Sequence, residues 1–213
     1  MQTISAENLV QTYIPNDIKS VRLHFEFEDE NRKMTSEEFW EFCQKNPKLN
    51  AELTKEGDVI VMPPTGWNTT KRNAKLVRRL GNWAEENGEG EFSESNGGFI
   101  LPSGATRSPD AAWILKSRLA ALPNEDLDKF LPLCPDFIVE ITSPSDNLSD
   151  AQKKMLEYIE NGAQLGWLIH AKTKQVFIHR PHREVEVLDN PTKVSGEPLL
   201  KGFEFELDLA EIW

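Results

Sequence analysis

The sequence predicts an α+β fold, a mixed β-sheet with helices packed against it. Three features carry that expectation. Residues 21–28, "VRLHFEFE", alternate strictly between apolar and polar, the period of a half-buried strand. "PDFIVEIT" (135–142) is dense in β-branched and aromatic side chains, closed by Pro135 and Pro144, as a core strand would be. Two segments, "TTKRNAKLVRRLGNWAEEN" (69–87) and "AQKKMLEYIENG" (151–162), carry their apolar residues at helical spacing.

Taken in order, the strand at 21–28 is followed by a helix in "TSEEFWEFCQKNP". Thr35 or Ser36 ahead of Glu37 and Glu38 supplies its cap, and Pro47 ends it. "NAELTKEGDVIVMPP" is a hairpin turning at Glu56-Gly57-Asp58. A longer helix covers about Thr70 to Asn87. "EFSESNGGFILPSGATRSPDAAWILK" then reads as strand, glycine turn, strand, loop, strand, and "SRLAALPNEDLDKFLPLC" as a connection with one helical turn. The core strand and its helix follow. "LGWLIHAKTKQVFIHRP" is a hairpin through Lys172-Thr173-Lys174, "REVEVLD" a strand, and the C-terminus a strand with a final helical turn.

At 213 residues the chain can bury a sizeable core, and six Trp and eleven Phe supply much of its mass. No apolar run has the length of a membrane span, and the first thirty residues have no signal-peptide h-region, so a cytoplasmic location is expected. Cys43 and Cys134 have no ligand spacing and read as reduced core thiols. The four histidines lack paired spacing, which offers no zinc site, and His170 and His179 read as surface residues near strand ends. A net charge of −11 argues against coating nucleic acid by bulk electrostatics, but not against a local basic surface.

Glu140 interrupts the core strand 135–142. A buried carboxylate must be protonated, paired, or holding something positive. Strand parity puts Asp136, Ile138, Glu140 and Thr142 on one face and Phe137, Val139 and Ile141 on the other. Asp110 opens the similar run "SPDAAWIL". If the two strands are neighbours, the carboxylates converge, and two close carboxylates stay ionised only with a cation between them. Oxygen ligands alone suit Mg²⁺ (or Mn²⁺), which needs only one or two protein carboxylates. Taken singly, each is equally a strand-end cap or half of a salt bridge. On the following helix Ala151, Met155, Tyr158, Ile159 and Gly162 form the packed face. Lys154 borders that face and Lys153 points away from it.

"SPDAAW…PDFIVEITSPSDNL…QKKMLEYIENGAQLGWLI", with "VMPPTGW", "SNGGFILPSGA" and "LKGFEFELDLAEIW", resembles the Uma-type restriction endonuclease family, a branch of the PD-(D/E)xK nuclease superfamily. The likeness runs from about Ser36 to Trp213, which leaves residues 1–34 as an N-terminal extension with a strand and 35–213 as a restriction-endonuclease-like domain. It implies a divalent metal and phosphodiester hydrolysis, with Asp110 and Glu140 as metal ligands. The superfamily's lysine stands two residues after that glutamate, where this chain has Thr142. The resemblance implies that the role passes to a helix lysine, which matches Lys154. Glu52 matches a further acidic position of the family, and it also reads as an exposed hairpin carboxylate.

On the helix 70–87, Lys71, Arg72, Lys75, Arg78 and Arg79 share about a third of the circumference, opposite Leu76, Val77, Leu80, Trp83 and Ala84. This is a candidate surface for phosphates, or an ordinary solvated face. The leading expectation is a Mg²⁺-dependent nuclease with DNA as substrate, no membrane partner, and a homodimer as the assembly to test. An inactive nuclease fold serving binding or assembly is the alternative. A metal-free two-carboxylate hydrolase such as a glycosidase stands third.

Overall fold

The computed structural model describes residues 20–29, 31–144, 146–207 and 212–213. In chain order the elements are β1 (Val21–Leu23), α1 (Ser36–Lys45), β2 (Asn50–Leu53), β3 (Val59–Met62), α2 (Trp67–Asn87), β4 (Gly90–Glu94), β5 (Phe99–Ile100), β6 (Thr106–Arg107) and β7 (Ala111–Leu115). Then come α3 (Lys116–Leu119), a 3₁₀ turn at Asn124–Asp126, β8 (Phe137–Ile141), α4 (Leu148–Glu160), β9 (Leu165–His170), β10 (Gln175–His179), β11 (Glu186–Asp189), β12 (Lys193–Ser195) and β13 (Glu204–Glu206). The fold is mixed α+β. It forms two compact units, one from the described residues up to Pro64 with Ser103–Arg107, the other from Thr65–Pro102 with Ser108–Trp213.

In the first unit β1, β3, β2 and β6 pair antiparallel in that order, with Val61 opposite Val21 on one side and Ala51 on the other. The tight β2–β3 turn needs Gly57, at φ +92°, because a Cβ there would lie 2.8 Å from Lys33 Cβ. Thr35 caps α1 in a full capping box with Glu38. The Thr35 backbone N–H, foremost among its partners, holds the Glu38 carboxyl below its ordinary range. The strand expected over 21–28 is only three residues long. Beyond Leu23 the ladder gives way to side-chain contacts, His24 to Asp58 at 2.7 Å and Phe25 edge-on to Phe42. Because β1 pairs with β3, the chain ahead of Thr35 contributes a strand to this sheet. Residues 1–19 of the expected extension, and the final helical turn at 208–211, lie outside the described residues.

In the second unit six strands run in the order β11-β10-β9-β8-β7-β4, and β8–β9 is the parallel pair. A parallel pair needs a crossover, and α4 supplies it. Strand alternation in β8 sends Phe137, Val139 and Ile141 to the α2 side, where they join Leu76, Leu80, Ala84, Trp113 and Trp167 in the core. Phe203 stacks on Trp167 at 5.8 Å and closes that layer. Ile138 and Glu140 take the other side, under α4. There Gly166 gives Met155 room, since a Cβ would come within 2.6 Å of Met155 Cε and displace that side-chain end. Fully buried side chains of this size contribute about 1.5–3 kcal/mol each. Among the described residues no helix is long and apolar enough to cross a membrane.

Candidate active site at the ends of β7 and β8

β7 and β8 are antiparallel neighbours with Ala111 opposite Val139, so Asp110 and Glu140 occupy the next step of the ladder. Asp110 stands just ahead of β7, and its Oδ2 accepts the Ile141 backbone N–H at 2.7 Å. Its Oδ1 accepts from Asn73 Nδ2 of α2 at 2.6 Å. Burial pushes the Asp110 carboxyl above its ordinary range. The Ile141 N–H, the Lys154 ammonium and Asn73 pull it down, in that order, and the Asp146 carboxylate adds to the rise.

Glu140 meets α4. Its Oε1 accepts from Lys154 Nζ at 2.7 Å and from the Tyr158 hydroxyl at 3.1 Å. The Lys154 and Glu140 side chains are 21% and 15% exposed, so the pair lies at the edge of the core and touches solvent. Lys153 is exposed and pairs with Asp150 one turn back. The wheel explains the difference. Met155 and Tyr158 are fully buried, and Lys154 flanks them.

Glu52 lies on β2 of the first unit, buried and paired with Arg107 Nη1 at 3.2 Å. The exposed hairpin carboxylate is therefore a misreading, because its side chain points into the sheet's covered face. Of the five cations of α2, Arg72 donates through Nε to the Ile212 carbonyl at 2.5 Å and Arg79 pairs with Glu206 at 3.6 Å. Arg72 and Arg79 are thus engaged by the C-terminal segment, a tertiary contact the helical wheel alone does not show.

Sequence reasoning missed three groups. Asn73 sits on the packed side of α2 and holds Asp110, although polar residues there are the exception. Tyr158 reads as a core aromatic, yet its phenol tip reaches Glu140. His170 and His179, read as surface residues, are both buried. His170 Nδ1 lies 2.7 Å from the Thr142 hydroxyl. Burial lowers the His179 pKa to about 4, and neither ring nitrogen has a partner among the described residues. The two thiols are free, and burial raises Cys43 to about 11 and Cys134 to about 12, which removes them as nucleophiles near neutrality.

The mixed sheet flanked by helices has relatives among solved structures. It matches the crystal structure of a protein from Anabaena variabilis described as a "putative nuclease", with a TM-score of 0.68 and 21% identity, over 84% of this chain and 97% of that one. The likeness is one of fold. The family model Uma2, described as "Putative restriction endonuclease", matches residues 36–210, and the chain belongs to that family. A search of curated proteins returns no match.

Proposed function

We propose that the protein is a metal-dependent nuclease that hydrolyses DNA phosphodiester bonds, with Asp110 and Glu140 holding Mg²⁺ or Mn²⁺ and Lys154 serving the reacting phosphate. The observation that carries this is the ladder step that pairs Asp110 with Glu140 while Lys154 reaches Glu140 at 2.7 Å. The donor set fits a hard cation, because both carboxylates are oxygen ligands and Mg²⁺ keeps most of its shell as water. Asn73 Oδ1 is buried without a partner among the described residues, so an acceptor beside Asp110 still wants a donor.

A bound divalent ion polarises a phosphate and lowers the pKa of a bound water. The chain's own groups do the rest. Asn73 and the Ile141 N–H fix both oxygens of Asp110, and Tyr158 orients Glu140. Lys154 offers a charge-assisted hydrogen bond to negative charge as it develops on the phosphate oxygens. The Lys154–Glu140 pair also suits a nuclease fold that binds without cutting.

Cleavage of plasmid DNA in Mn²⁺, with melting curves, separates the two. Glu140→Gln is expected to lower cleavage by about 10³-fold or more, since metal charge stabilisation is worth several kcal/mol. The same variant should lose most of the metal-induced rise in melting temperature. Lys154→Ala should keep that rise and lose rate. Wild-type protein that neither cleaves nor melts higher with metal refutes the nuclease and leaves the binding fold.

A further inference from the structure

Trp67, the first residue of α2, is 76% exposed, the most exposed large apolar side chain among the described residues. An exposed tryptophan alone is ordinary, but beside a row of cations it offers a flat aromatic face to a planar partner. At 100° per residue, Lys71, Ala74 and Arg78 fall within about 40° of Trp67 on the helix, and Lys75 at about 80°. Arg78 and Ala74 are themselves exposed. The stripe runs about 16 Å along the axis at 1.5 Å per residue. Arg72 and Arg79, which the C-terminal segment engages, lie farther round the helix. The first turn of α2 has no acidic residue, so no carboxylate of that turn opposes an anion at the helix start. Asn73, on the opposite side of the same helix, holds Asp110.

We infer that the Trp67–Lys71–Lys75–Arg78 stripe is a track for single-stranded nucleic acid, with Trp67 stacking on an unpaired base and the cations following the phosphates. The inference rests on the proposed nuclease function and deepens it by naming the substrate class. A lone cationic face would accept any duplex, but an aromatic face is useful only where a base is unstacked, and stacking tolerates every base. In a chain of net charge −11, a cationic line is the place where phosphates are attracted and not repelled.

The test is fluorescence anisotropy in EDTA with a fluorescein-labelled oligothymidylate and a duplex of the same length. Trp67→Ala should weaken single-strand binding about 10-fold while leaving duplex binding within about 2-fold, and Trp67→Phe should restore most of the loss. Lys71→Ala with Arg78→Ala should lower the slope of affinity against salt by about 1.4 for the single strand. Circular dichroism should show all variants melting like the wild type, since the side chains changed are at the surface. Equal single-strand affinity in Trp67→Ala, a wild-type preference for duplex, or no single-strand binding at all would overturn the inference. None of those results touches the metal-induced melting shift at Asp110 and Glu140. Stacking without that shift would retain the track and reject the nuclease.

Discussion

Each unit of the molecule holds a glutamate from a β-strand against a cation, and the two pairs are built differently. Glu52 and Arg107 are sealed, with side chains 4% and 10% exposed, on two strands of one antiparallel sheet. Glu140 and Lys154 join a strand to a crossover helix, remain open to solvent, and have the Asp110 carboxylate at the next ladder position. A sealed pair compensates desolvation and can do little else, because moving either charge leaves the other buried. An open pair beside a second carboxylate can exchange its cation. The difference lies in access and in the second carboxylate, since the Glu–cation chemistry is the same in both.

The largest effect that could break this comparison is on folding. Glu52→Gln should destabilise the protein by about 3–5 kcal/mol in urea titration, equally with and without Mn²⁺, because it removes a buried charge that the Arg107 guanidinium faces. If Glu52→Gln instead removed the metal-induced gain, Glu52 would belong to the metal site, as the family resemblance implies. Glu140→Gln in EDTA should differ by about 1 kcal/mol or less, since Lys154 can rehydrate and one of two neighbouring carboxylates is neutralised.

A second measurement extends the contrast to a sealed group with no hydrogen-bond partner among the described residues. His179 is neutral in the fold, with its pKa lowered by burial to about 4. Between pH 6.5 and 4 the unfolded chain binds a proton that the folded chain refuses. Stability due to this group is therefore present above pH 6.5 and falls as pH drops toward 4. His179→Leu should remove about 2 kcal/mol of the stability difference between pH 7 and pH 5. Identical pH profiles for wild type and variant would show that the ring has a partner or water access.

How much of this was legible follows from what each pattern encodes. The capping box at Thr35, the turn at Gly57 and the parity of β8 are local, and local chemistry places them. The wheel of α4 separates Lys154 from Lys153 for the same reason. Strand adjacency is a tertiary fact, so the meeting of Asp110 with Glu140 was conditional until β7 and β8 were seen side by side. Asn73, the burial of His170 and His179, and the capture of Arg72 and Arg79 depend on chain ends and neighbouring strands far away in sequence. No periodicity reports them. The β1 strand was overestimated because alternation continues after the partner strand has ended.

The parallel pairing of β8 and β9 has a consequence for which parts of the site stand together. Glu140, Lys154 and Tyr158 come from one contiguous strand–helix–strand segment, Phe137–His170, whose closure needs no other part of the chain. Asp110 and Asn73 arrive from earlier segments, and the connection 116–136 that brings β7 to β8 is about as long as the β8–β9 crossover, so closure entropy is similar for both. The Glu–Lys half is thus contained in one segment, and the second carboxylate comes from outside it. Fraying of β7 from β8 would dismantle the two-carboxylate arrangement while leaving the ion pair standing, so a metal held there as proposed would act as a clasp on that strand.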